Sequence, residues 1–426
     1  MNHYTYFCPS CQKEFSRETI EENLIYLCPD CGKAERNKPL EGILKIKYDF
    51  NEIKKSNIKN KLLNSLPGSI WNFPELLPLE FDEVTKEFPG IDKKLLNTLS
   101  LNANPLIKLK IENFNIYAFD DTRNPTFSYK DRASILVALK ALQLGLKQIS
   151  AASTGNAGSS IAGICARLGL EANIFVPKTI PESKRIQIQS YGANLFVVDG
   201  TYDDAFDLCL EISSKKKWFN RNTAYNPLTI EGKKSGAYDI FISFNGKVPD
   251  NIFIPAGDGV IIGGIYKGFM ELLELDLIEK LPRLIAVQSS GSNAIVRYFH
   301  TKKFELKRAE TIADSICASA PRNLFMAYEA LINSSGFAIE VDDDEILNAQ
   351  KEVIQKFGIF VEPSSSASFA GLKKAISNGL VNEKENHLLM FTGNGLKDLN
   401  SLKKWNEEIK PKSYQQWLDE LNEAET

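Results

Sequence analysis

Five short segments in this chain place polar or glycine-rich turns where a β-prone run gives way to a helical pattern, and Lys130 sits in the first of them. NPTFSYKDRAS, residues 124–134, follows the strand-like NIYAF and opens a helix carrying Ile135, Leu136, Leu139 and Leu142. At a helix N-terminus the dipole disfavours an ammonium, which favours the neutral amine that imine chemistry requires. A solvated lysine in an Asn-Pro turn is the ordinary alternative for Lys130 taken alone. STGNAGSS, residues 153–160, follows QISAAS, and its small residues let a flat ligand approach the backbone while Asn156 offers a donor to an anionic ring oxygen. A turn capping a helix would look the same. PAGDGVIIGG, residues 255–264, supplies consecutive backbone N–H groups at a helix start, a phosphate cradle that needs no basic residue. Its glycines match neither the dinucleotide fingerprint nor the P-loop lysine motif. GIFVEPSSSASFAGL (358–372) and FTGNGLKD (391–398) complete the set, with Thr392 ending the last core strand. Each is a routine turn alone; five in this order are not a chance arrangement.

A second constellation lies near the N-terminus. Cys8-x-x-Cys11 and Cys28-x-x-Cys31 are separated by sixteen residues, with Pro9, Pro29 and Gly32 shaping two knuckle turns. Four thiolates at this spacing suit a structural, tetrahedral zinc. A pair of disulfides and a degenerate ribbon without metal are the alternatives. Cys165, Cys209 and Cys317 read as reduced core residues. Of the three histidines, His3, His300 and His387, none falls in a motif, which argues against a Ser-His-Asp hydrolase; His387 reads as a polar residue at a strand edge.

These residues need elements to hold them. A chain of 426 residues exceeds one ordinary core, and its runs NIYAF, QISAAS, ANIFVP, NLFVVD, NIFIPA, LIAVQ, FAIEV and LLMFT alternate with helical patterns. That alternation implies βαβ units and largely parallel α/β sheets, whose ligands lie beyond the carboxyl ends of the strands. Residues 1–40 are expected to form a zinc-ribbon-like unit, 41–100 an N-terminal extension with apolar pieces around Trp71 and Leu76 to Leu79, 101–138 with 241–411 a large domain, 139–240 a smaller mobile domain, and 412–426 a tail. With 43% apolar and 25% charged residues and a net charge of −3, there is no electrostatic reason to bind nucleic acid. No apolar run approaches a membrane span and the N-terminus lacks a secretory plan, so a cytoplasmic enzyme with a small-molecule substrate is expected.

The order of the five turns resembles the fold-type II pyridoxal-phosphate enzymes, and within them the threonine synthases, from residue 101 to about 410. The family pattern NPTxSxKDR matches Asn124, Pro125, Thr126, Ser128, Lys130, Asp131 and Arg132, with Phe127 where glycine is common. The resemblance implies two parallel-sheet domains with pyridoxal 5′-phosphate between them and a Schiff base on Lys130. It implies that Asn156 bonds the cofactor's ring oxygen, that Ser153 and Thr154 help hold the substrate carboxylate, and that Gly257, Asp258, Gly259, Val260 and Ile261 form the phosphate loop. Thr392 would face the pyridine nitrogen; a hydroxyl there does not enforce a pyridinium, which suits elimination and replacement. The implied reaction takes O-phosphohomoserine and water to threonine and phosphate, Lys130 acting as the base. A β-eliminating ammonia-lyase, a β-replacing synthase on serine, threonine or phosphoserine, and a non-catalytic metabolite sensor are the rival readings; many family members dimerise. Two departures stand out. The usual GNxGN loop is GDGVI here, and Ala224 and Thr229 replace the serine and arginine of the family's phosphate-binding segment. Lys184, Arg185, Lys233 and Lys234 are candidates to take over, with Arg185 and Lys234 assigned to the substrate's anionic tail.

Overall fold

The computed structural model describes residues 4–111, 113–153 and 155–423. All eight β-prone runs are strands, divided between two sheets. The larger has six strands in the order Phe337–Val341, Arg283–Ser289, Asn251–Pro255, Asn386–Phe391, Asn115–Asp120 and Leu106–Leu109; only the last pairing is antiparallel. The smaller is parallel, in the order Asn194–Val198, Glu171–Pro177, Gln148–Ala152 and Phe219–Asn220. The α/β class with parallel sheets is therefore as the alternation implied. Because Asn251–Pro255, Asn386–Phe391 and Asn115–Asp120 are neighbours, the turns that follow them converge. Among the described residues no helix is long and apolar enough to cross a membrane.

The helix Lys130–Gln143 is buried on all sides from Asp131 to Ala141, not on one face alone. One side meets the helices Leu228–Ser243 and Asn156–Leu168. On another, Lys140 is held by Glu21 at 3.0 Å and by the Tyr4 hydroxyl at 2.8 Å. Tyr4 belongs to a three-stranded antiparallel sheet, Glu14–Phe15, Tyr4–Phe7 and Lys45–Tyr48, which ties the cysteine-bearing segment to the residues that follow it. Trp71, Leu76, Leu77 and Leu79 are buried in the main core, as their apolar pieces suggested.

Two smaller expectations are corrected. Cys317 is exposed, whereas Cys165 and Cys209 are buried. His387 lies fully buried inside the strand Asn386–Phe391, against Phe253 and Phe114, and burial lowers its pKa.

Arg132, two residues after Lys130, fixes how this helix sits. Its guanidinium takes Asp121 at 2.6 and 2.9 Å and Asp239 at 2.5 Å, all three buried. Removing one partner of a buried ion pair strands the other charge, a cost of about 3–5 kcal/mol. Asp121→Ala is expected to lower stability by that amount, read as a fall in the urea midpoint at unchanged m-value.

Candidate active site

The turn that presents Lys130 is stitched from both ends. Phe127 N–H donates to Asn124 O at 2.8 Å and Tyr129 N–H to Thr392 O at 2.9 Å. Thr126 N–H donates to Asp131 at 2.7 Å, and the Thr126 hydroxyl bonds the same carboxylate. Phe127 has a φ of 68°, left-handed backbone that glycine adopts without strain, which gives the physical reason for glycine at this family position. Lys130 begins the helix, and its Nζ has no hydrogen bond or ion pair among the described residues. Burial pushes its pKa down to about 8, opposed by Glu362 and Asp258 and assisted by Arg221 and Lys184.

The Asn156 amide opens the second of the turns. It starts the helix Asn156–Leu168, donates to Glu362 at 2.8 Å and Ser315 at 3.1 Å, and keeps a buried Oδ1 without a partner. Glu362, before Pro363 at the start of the helix Pro363–Ser377, is buried with one oxygen unpartnered, and burial raises its pKa. Ser153 is buried at the end of the strand Gln148–Ala152 and accepts from Gly155 N–H at 3.2 Å. Thr154 lies outside the described residues. Thr392 N–H donates to Ser365 Oγ at 3.0 Å, which fixes the strand end while leaving the threonine hydroxyl out of the bond.

In the glycine turn the backbone N–H groups of Val260, Ile261 and Ile262 precede the first helical bond, Gly263 N–H to Gly259 O at 3.1 Å. A Cβ at Gly257 would come within 2.8 Å of Ile316 Cα, and Gly259 has a φ of 82°. Val260 and Ile261 bury their side chains, so only their backbone can serve a ligand. Asp258 does not cap the helix; it accepts from Arg322 N–H at 3.4 Å, and burial raises its pKa.

Two assignments of substrate contacts fail. Arg185 is exposed on the helix Glu182–Ser190. Lys234 is buried but committed, to Glu231 at 2.7 Å and Glu271 at 2.9 Å beneath the Tyr48 ring, in a cluster that binds the N-terminal sheet to the body. In each case the neighbouring lysine turns inward. Lys184 reaches Asp314 at 2.5 Å beside Gly155, and Lys233 is buried without a partner. Helical rotation of about 100° per residue separates such neighbours, and sequence alone leaves the phase open in helices buried all round. Glu362 and Arg221 are the residues the sequence reading missed. A glutamate directly before a proline that opens a serine-rich helix was the available signal for Glu362; Arg221 offered none.

The four N-terminal sulfurs, Cys8, Cys11, Cys28 and Cys31, all lie within 4.8 Å of one another. They are free thiols, with Cys8 Sγ 3.4 Å from Cys31 Sγ and Cys11 Sγ 3.5 Å from Cys28 Sγ. Such a cluster could bind zinc as a closed, structural site.

The family model described as pyridoxal-phosphate dependent enzyme matches residues 98–393. The threonine synthase of Methanocaldococcus jannaschii is 33% identical over 400 residues, covering 92% of each chain. That of Halalkalibacterium halodurans is 35% identical over 362 residues, 83% of this chain and 97% of the other. The chain belongs to the threonine synthase family of pyridoxal-phosphate dependent enzymes. In fold it is similar to O-ureido-L-serine synthase, with a TM-score of 0.63 at 19% identity over 77% of this chain and 99% of that one. It is also similar to threonine deaminase isoform 2 of Solanum lycopersicum, with a TM-score of 0.59 at 22% identity over 89% and 98%.

The described residues fit the family's cofactor. An unpaired, half-buried amine and a glycine turn of free N–H groups match its aldehyde and phosphate in kind, with the Asn156 amide at the start of a helix close to them in the fold. Mixing the apoprotein with pyridoxal 5′-phosphate should therefore give imine absorbance at a rate that climbs with pH and levels off above about 8, where Lys130 is neutral; an unperturbed lysine would climb to about 10.4. Lys130→Ala should abolish the band. For the sulfur cluster, the purified chain should carry one zinc per polypeptide, and Cys11→Ser should lose it and lower the melting temperature.

Proposed function

We propose that this threonine synthase family member converts O-phosphohomoserine and water to threonine and phosphate, with Lys130 as cofactor ligand and base. The observation that carries the reading is the family match across nine-tenths of both chains joined to a half-buried, unpaired amine of lowered pKa at the matched lysine. When bound, pyridoxal phosphate supplies an electron sink that stabilises negative charge developed at the substrate carbons.

The chain's own residues do the rest. Lys130 Nζ, neutral in a substantial fraction near pH 8, takes a proton from Cα and then from Cβ, and can return protons later. Asn156, now donating to Glu362 and Ser315, would turn an amide N–H to the ring oxygen when the cofactor is bound. Glu362, its pKa raised by burial, accepts from that amide and holds it in place. Ser153 and the adjoining turn take the substrate carboxylate, and Thr392 offers the pyridine nitrogen a hydroxyl, not a carboxylate. Phosphate leaves from Cγ and water adds at Cβ.

We take residues 101–138 with 241–411 as the large domain, 139–240 as the mobile one, 1–40 as the ribbon-like unit, 41–100 as an extension and 412–426 as a tail. The contacts Lys184–Asp314 and Ser183 Oγ to Lys397 O, 2.7 Å, support a closure that excludes water until addition. A cytoplasmic location accords with the seven free thiols, and a homodimer with the family habit.

Ala224 and Thr229 favour one second reading, β-elimination or β-replacement on a serine, threonine or phosphoserine substrate. Phosphate and product analysis of the holoenzyme with O-phosphohomoserine, O-phosphoserine, threonine and serine separates the two. Threonine and phosphate in equal amounts from the first, without 2-oxobutyrate, is expected, with Lys130→Ala lowering kcat by at least about a thousandfold. Oxoacid or β-replaced product as the main outcome would overturn it.

A further inference from the structure

The segment that carries the usual phosphate-binding serine and arginine of this family is closed on itself here. Ala224, at a φ of 66°, donates its N–H to Thr229 Oγ1 at 3.2 Å, and that hydroxyl donates to Asn226 O at 2.8 Å. Neither position has a donor to spare. Beside it stand two cations with no counterion. Arg221 is 1% exposed, spends Nε on Ser134 Oγ at 3.3 Å and Nη1 on Thr223 Oγ1 at 2.7 Å, and leaves Nη2 buried without a partner. Lys233, fully buried on the helix Leu228–Ser243, has no partner for Nζ. Among the described residues no carboxylate lies within ion-pair distance of either.

A buried cation without a partner is costly. Burial pushes the Arg221 pKa down to about 10, and burial together with repulsion from Arg221 and Lys130 pushes that of Lys233 down. Lys130 and Asp258 are the other charges that bear on Lys233. Ser134 lies one helical turn beyond Lys130, so the guanidinium is anchored alongside the reactive amine. The cofactor's phosphate has a separate candidate cradle in the N–H groups of Val260 to Ile262.

We propose that Arg221 and Lys233 form the subsite for the substrate's phosphate, replacing the serine and arginine that Ala224 and Thr229 have displaced. This rests on the O-phosphohomoserine reading above and names its specificity determinants. A planar guanidinium and a point charge together bind a dianionic phosphate monoester with charge-assisted bonds, and reject a neutral tail that leaves both cations unpaired. Orthophosphate, once released, is held by the same pair.

The test compares holoenzymes of the wild type, Arg221→Met and Lys233→Met with the charge-keeping Arg221→Lys and Lys233→Arg. The Michaelis constant for O-phosphohomoserine should rise at least about tenfold in each methionine variant, and by more than kcat falls. Inorganic phosphate titrated into the holoenzyme calorimetrically should bind correspondingly more weakly, while the dissociation constant for pyridoxal 5′-phosphate, followed by absorbance, stays within about threefold. The charge-keeping variants should recover part of the loss, and they carry the test should a methionine variant fail to fold. A cofactor constant that moves as much as the Michaelis constant would assign the pair to the cofactor's phosphate and overturn the proposal, as would unchanged phosphate binding and Michaelis constant. If the wild type makes no threonine yet its phosphate binding depends on both residues, the reaction assignment fails and the subsite stands. Threonine synthesis indifferent to both substitutions gives the reverse.

Discussion

Holding the half-buried amine of Lys130 without a counterion is the constraint around which the rest of this protein is arranged. A lysine in water holds its proton to about pH 10.4 and is a poor nucleophile below that. Here burial brings the value to about 8, and the helix start, Arg221 and Lys184 all work against the ammonium. Holding a polar group in that state requires a rigid surround. The Arg132 ion pairs with Asp121 and Asp239, and the Tyr129 to Thr392 bond, supply it. The N-terminal sheet contributes from behind through Lys140, Glu21 and Tyr4, so the cysteine cluster bears on the helix that presents the amine.

The site also shows how charge is divided among three groups of residues. Lys234, Glu231, Glu271 and Lys267 form a closed, neutralised cluster that joins the N-terminal sheet to the body. Lys184 and Asp314 pair across the mouth of the site, next to Gly155. Arg221 Nη2 and Lys233 Nζ, like Lys130 Nζ, stay without a partner among the described residues. Lys233 and Lys234 are adjacent in the chain yet have opposite fates, one serving as glue and the other left with its charge unmet.

The sequence by itself determined a good deal. The eight strands, the α/β class, the five turns, the family and the cofactor were legible because strand-to-turn-to-helix junctions are local in sequence. Parallel sheets then oblige such junctions to share one edge. The cysteine spacing was legible for the same reason, since each Cys-x-x-Cys pair is set by one turn. Thr392 and Asn156 were placed by being the residues that end a strand or begin a helix.

Only the tertiary structure decided which charged side chains face the site. Arg185 and Lys184, or Lys234 and Lys233, differ by one residue; the helix of the second pair is buried on all sides, so no hydrophobic stripe reveals which way each lysine points, and on the mostly exposed helix of the first pair it is a lysine that turns in. Arg221 lies in a short stretch after the strand Phe219–Asn220 that carries no motif, and its meeting with Ser134 spans 87 residues of chain. Glu362 comes within 2.8 Å of Asn156 across 206 residues. Contacts of that separation depend on how two sheets are packed, a property of the folded whole that no local pattern encodes.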